Sequence, residues 1–280
     1  MTTTFAPLPT TASPSTSAAS ATAASIVFAP TPQHEYLLRI GDTCLIHAQR
    51  LAEWSGHAPI LEEDIALTNL ALDLVGQARA LLTHVGLQTG FDEDQLAFLR
   101  DERDFRNFTL VELPGRRAGR DFADAVVRNL LVAAWMQVAW AALERSADLE
   151  VAAIAGKAIK ESRYHVAHAA DWVVRLGDGT DESARRMRRA VERLWPYTAE
   201  LFETDAVDAE AARAGLGPMR LSLQPDWQAI VEPVFAEAGL ALPAIGAFLS
   251  TGSRGVHSEH LGYVLAEMQT LQRSFPGGQW

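Results

Sequence analysis

Cysteine occurs once in the 280 residues, at Cys44. That excludes an internal disulfide and a thiolate metal cluster, and it fits a reducing cytoplasm. No basic residue precedes Arg39, so the N-terminus has neither the charged start of a secretory signal nor the arginines of a transit peptide. Uncharged apolar runs of about 18 residues are missing, which predicts no membrane-spanning helix. Positive charge is short too. A formal net charge of −11 argues against nucleic acid or an anionic membrane as the main partner. There is no HExxH, no P-loop, no GxGxxG and no Cys/His nucleophile pair. Cys44 itself falls on a buried helical stripe beside no activating base.

What is there is helix. Hydrophobic residues make up 48% of the chain, enough for a sizeable core. Residues 1–33 are Ser/Thr/Ala/Pro-rich and read as a disordered extension, leaving 34–280 as one all-α domain. In the first helix Leu37, Ile40, Cys44, His47, Leu51 and Trp54 share a face, and Gly56 and Pro59 end it. His47 on that face reads as a hydrogen-bonded core histidine rather than a ligand. The second helix opens on acidic residues, carries Leu67, Leu70, Leu74, Ala78, Leu81 and Val85 inward, and closes at Gly86. Asp73 and Gln77, four apart, predict a hydrogen-bonded pair at the core edge. A charged run over 91–122 follows as a packed crossover, with a break at Pro114 and Gly115.

The third helix, about Ala123 to Ser146, is apolar nearly all round and predicts a central position. The fourth holds Lys157 to Arg175, with Ile154, Ala158, Glu161, His165, His168, Trp172 and Leu176 in one stripe. The fifth has a basic outer face, an inner face of Met187, Ala190, Val191, Leu194, Trp195 and Leu201, and a kink or split at Pro196. Those arginines read as a solvated face paired with nearby Glu. Residues 205–243 read as a loop-rich extension, and the tail ends in an amphipathic helix with Val264, Leu265, Met268 and Leu271 inward.

A carboxylate and two imidazoles on a core stripe are costly unless paired. Bundles holding two metal ions use a Glu-x-x-His pair on each of two helices and a lone Glu on each of the others. Here the residue three before His165 is Ser162, and the middle of the third helix offers Val132, Ala133, Ala134 and Trp135. The order of elements is that of a ferritin-like four-helix bundle with additional C-terminal helices, yet the expected iron ligands are mostly absent. His257, Glu259 and His260 look like a metal cluster, but only His257 and His260 have helical spacing; a capping or interface role is the better reading.

The segments GDTCLIHAQRLAEWSGHAP, LALDLVGQARALL, LAFLRDERDFRN, AGKAIKESRYHVAHAADWVVRLGDGTDES, LWPYTAELF and GVHSEHLGYVLAEMQTLQRSFPGGQW closely resemble the PaaC family, one of the component families of bacterial 1,2-phenylacetyl-CoA epoxidases. The likeness runs from about Tyr36 to Trp280. It implies a place in the multicomponent, NADPH-dependent ring monooxygenase of aerobic phenylacetate breakdown. It further implies a structural, catalytically silent partner of a catalytic di-iron subunit (PaaA), alongside a small bridging subunit (PaaB) and an iron–sulfur flavoprotein reductase (PaaE). On that resemblance the degenerate metal-site positions are Leu74 and Gln77 for one Glu-x-x-His, Ser162 and His165 for the other, and Ala133 where family members carry Asp. No cofactor is then expected in this chain, and a hetero-oligomer in the cytoplasm is. The rival reading is an independently active di-iron carboxylate oxygenase built on Glu53, Asp73, Glu161 and His165. A helical adaptor unconnected with oxygenases is the blandest alternative.

Overall fold

A computed structural model of the chain describes residues 24–116, 119–244 and 246–278. Most of the expected extension, residues 1–23, lies outside the described residues. Its last part is held: Ile26 N–H donates to the Leu99 carbonyl at 3.0 Å, and Phe28 packs edge-on against Phe91.

Four long helices make the bundle: α1 (Pro32–Ala52), α2 (Leu61–Thr89), α5 (Phe122–Leu143) and α6 (Leu149–Gly177). α1 pairs with α2 and α5 with α6, and α2 meets α6 across the bundle. The short helices α3 (Glu93–Phe98) and α4 (Thr109–Glu112) lie in the crossover. After the bundle come α7 (Asp181–Leu194), a 3₁₀ stretch over Trp195–Phe202, α8 (Ala206–Arg213), α9 (Gln224–Glu237) and α10 (Glu259–Ser274). The chain splits at Pro196 as its missing N–H requires, and Met187, Ala190, Val191, Leu194, Trp195 and Leu201 are all buried. On the outer face of α7, Glu182 holds both Arg185 and Arg186, and Arg193 reaches Asp124 at 2.6 Å.

Two helices are central rather than one. α5 is buried nearly all round, and so is α1, where every residue from Tyr36 to Ala48 is buried. α1 can be enclosed because α8, α4 and α10 close over the side that α2 leaves free. Its polar residues are matched. Arg39 donates to Asp205, to Asp208 and to the Ser253 carbonyl, and Asp42 takes a bidentate Arg100 at 3.0 and 2.5 Å. Asp208 also takes Arg220.

The structure departs from the sequence reading in further places. α2 does not stop at Gly86 but runs to Thr89, with Gly90 at φ +82° as its cap. Gly86 is a packing glycine, since a β-carbon there would run into the Phe91 carbonyl. The buried line of α6 is Val151, Ala155, Ala158, Ser162, His165, Ala169 and Val173, so Ile154, Glu161, His168, Trp172 and Leu176 flank the core instead. Residues 205–243 are largely helical: Asp205 caps α8, and Pro225 sits in the first turn of α9, where a missing N–H costs nothing. In α10 Leu261 and Gln269 are buried, while Leu271 is 48% exposed. Finally, α2 and α5 are each long and apolar enough to cross a membrane by length and composition. Of the apolar window of α5, 83% is buried in the bundle, against 44% for α2.

Candidate functional site

The middle of the bundle is organised around one amide. Gln77 on α2 is 4% exposed. Its Oε1 accepts from Trp140 Nε1 at 3.3 Å and from Cys44 Sγ at 3.6 Å, and its Nε2 donates to Glu161 at 3.0 Å. The orientation of the amide follows from its partners, since an indole only donates and a carboxylate only accepts. Cys44 stays a thiol: burial, then the Glu161 carboxylate, pushes its pKa far up. Its sulfur also lies 3.9 Å from Met136 Sδ. Four helices thus meet through one network, in which Glu161 is the one carboxylate.

Two further rungs tie α2 to α6. His165 Nε2 donates to Asp73 at 3.1 Å, and His168 Nε2 pairs with Glu63 at 2.8 Å. Burial lowers the His165 pKa against the pull of Asp73, so the ring is neutral near pH 7. Asp73 and Gln77 do not pair with each other as the spacing suggested. Each reaches across to α6, because an interhelical partner satisfies a half-buried group better than a neighbour one turn away.

The five positions singled out by resemblance are all buried in this interior: Leu74, Gln77, Ala133, Ser162 and His165. Only Gln77 and His165 are drawn into the rungs. Leu74 packs in the hydrophobic core, and Ala133 is a buried methyl on α5. Ser162 Oγ is fully buried with no hydrogen-bond partner among the described residues. A thiol, an amide, a hydroxyl and a neutral imidazole, beside two carboxylates, Glu161 and Asp73, that are already hydrogen-bonded, fall short of the several bridging carboxylates that two iron ions need. The donor set does not fit a di-iron centre. Among the described residues no three His, Cys, Asp or Glu side chains converge as a metal would require. The rival set does not converge either, since Glu53 is engaged by Arg50 at the C-terminal end of α1.

Two other buried histidines, His47 and His257, are structural. His47 Nε2 meets Asn129 Oδ1 at 3.2 Å; burial, then Arg128, lowers its pKa to about 3. His257 sits under the crossover, with Nδ1 2.8 Å from Glu112 and Nε2 3.0 Å from the Phe105 carbonyl. Both ring nitrogens face acceptors, so the ring carries both protons. Burial opposes that charge, but Glu112 outweighs it and holds the pKa above its ordinary value. Glu112 also takes the Ser258 N–H at 2.6 Å, and Ser258 caps α10. The role of Glu112 was not foreseen. Asn107 also donates to it at 3.1 Å, but His257 and Ser258 lie more than 140 residues away, and such pairs leave no periodic trace.

The architecture is that of a ferritin-like helical bundle. A solved structure of a Synechococcus protein with aldehyde deformylating oxidase activity superposes with a TM-score of 0.54, covering 75% of this chain and 92% of that one at 18% identity. At that identity the likeness concerns the fold alone. The family model for phenylacetic acid catabolic proteins, PaaA_PaaC, matches residues 16–280, and the chain belongs to that family. The C subunit of the 1,2-phenylacetyl-CoA epoxidase of Escherichia coli K12 is 47% identical over 246 residues, which is 88% of this chain and 98% of that protein.

Proposed function

We propose that this chain is a supporting, non-catalytic subunit of a multi-subunit phenylacetyl-CoA epoxidase. In this reading it pairs with a catalytic subunit of the same family that holds the di-iron centre, and works with a small bridging subunit and a reductase in the cytoplasm. The observation that carries it is the Gln77 network: an amide, a thiol and an indole meet there with Glu161 as the one carboxylate, where an iron-binding relative needs several. The relationship to a named component of the Escherichia coli epoxidase supports the assembly. An interior of this kind folds without metal, and its rigidity is available to hold another chain.

The test is to purify this chain alone and together with the catalytic subunit, then measure iron and oxygen-dependent turnover of phenylacetyl-CoA with a reductase. The expected result is negligible iron and turnover for the chain alone, with both present in the pair. Turnover by the isolated chain, or two irons retained per chain, overturns the reading.

A further inference from the structure

Arg128 on α5 is 4% exposed, yet no carboxylate binds it among the described residues. Its one hydrogen bond runs from Nη2 to the Pro114 carbonyl at 2.8 Å, and its Nε–H is buried with no acceptor. Arg50 on α1, 9% exposed, repeats the pattern. Its two Nη groups donate to Glu53 and to the Glu112 carbonyl, while its Nε–H is buried and unpartnered. His47, one turn before Arg50, has its Nδ1 buried and unpartnered as well. All three residues line one narrow void with about 10 Å³ of free space, between the end of α1, the end of the crossover and the start of α5. Leu51, Trp54 and Ala125 supply apolar wall, so charge is poorly screened there.

The charges around this void do not cancel. Arg50, Arg116, Arg120 and Arg128 line it, together with Asp121 and Asp124. Both carboxylates are approached from outside the lining: Arg193 holds Asp124 at 2.6 Å, and Arg186 stands 3.8 Å from Asp121. Glu53, which is not in the lining, answers Arg50. Arg116, Arg120 and Arg128 are left without an ion pair among the described residues. Burial, then Arg50, brings the pKa of Arg128 down to about 10 against the pull of Asp124 and Glu53, so the guanidinium is still charged at pH 7.

We propose that the void holds a single halide ion, chloride, which accepts from the Nε–H groups of Arg50 and Arg128 and serves as the counter-ion that Arg128 lacks. The space is that of one water-sized particle, which excludes phosphate, sulfate and carboxylates. A water fits too, and could donate to His47 Nδ1. Charge decides between the two, because a water leaves a buried cation unpaired, which folded proteins avoid. His47 suits either occupant. Its Nε2 meets the Asn129 amide, and turning that amide over lets Nδ1 carry the proton and become a third donor to the ion. The bound ion fastens the end of α1 to the start of α5.

The experiment melts the full chain at fixed pH and ionic strength in sodium chloride, sodium bromide or sodium gluconate, whose anion is too large for the void. Chloride and bromide are each expected to raise the melting temperature, saturably, by about 5 °C over gluconate once well above their dissociation constants. Arg128→Met is expected to abolish that difference, and Arg213→Met, at an exposed arginine of α8, to leave it intact. Crystals of the wild-type chain soaked in bromide need no variant: anomalous scattering at the bromide edge is expected to show one peak between Arg50 and Arg128. Equal melting in halide and gluconate overturns the proposal, as does a halide effect that survives Arg128→Met. So does a void that shows water alone, with bromide absent or confined to exposed arginines.

Discussion

His257 donates both ring protons, and that makes its contribution depend on pH in a definite direction. Its folded pKa lies above the ordinary 6.5, so the stabilisation is complete below that value and is lost as pH rises through the raised pKa. Glu112→Ala strands a buried imidazolium and the Ser258 N–H, and is expected to cost about 3–5 kcal/mol near pH 6. Thermal melts should show the gap between wild type and variant narrowing as pH rises through the raised pKa of His257. His47 works the other way. It is neutral in the fold with a pKa of about 3, while the unfolded chain protonates near 6.5, so stability falls as pH drops through that interval. His47→Gln is expected to flatten the acid limb of the melting curve between pH 6.5 and 4 relative to wild type. Which of these residues were legible in the sequence is instructive. The buried position of His165 follows from spacing on its own helix, whereas Gln77 was expected at the core edge and Ser162 lay off the expected stripe. The partners that give them meaning do not follow from spacing, because Cys44, Trp140, Glu161 and Asp73 are brought to them by packing between helices.

At the scale of elements, periodicity located the long helices and the split at Pro196. It erred where two forces of similar size compete. Gly86 looks like a stop, but the helix continues because the glycine admits the Phe91 backbone against its flank. Gly86→Ala is therefore expected to destabilise by about 1–3 kcal/mol through overpacking. Gly76→Ala, with open space where its β-carbon would stand, is expected to gain a few tenths to 1 kcal/mol of helix propensity. Urea titration of the two variants distinguishes them. α6 was read one row off its buried line because Glu161, His168 and Trp172 are amphipathic at the core margin, where composition cannot tell inside from edge. α8 and α9 were hidden by glycine and proline, although Asp205 and Pro225 are starts of helices rather than breaks.

On the scale of the molecule, the crossover and the C-terminal third are fastened to α1 by buried charge. Arg39 binds Asp205 and Asp208, Arg100 binds Asp42, and Arg220 shares Asp208. Buried pairs of this kind are costly to break from one side even where they add little over an apolar core. Arg100→Met, which leaves Asp42 without its cation, is expected to lose about 3–5 kcal/mol, and Asp42→Leu together with Arg100→Met to recover most of it; chemical denaturation of the set checks this. Salt should matter little to any of them, because the groups are out of reach of screening ions.

The enclosure of α1 has a consequence for how the molecule is made. Arg39 is translated early, yet the carbonyl of Ser253 that receives it stands 214 positions further along. The α1–α2 hairpin must therefore wait, with charged groups unsheltered, until residue 253 has left the ribosome. A helix made before the elements that cover it is sealed late, and during that delay the nascent chain depends on whatever shields its open flank.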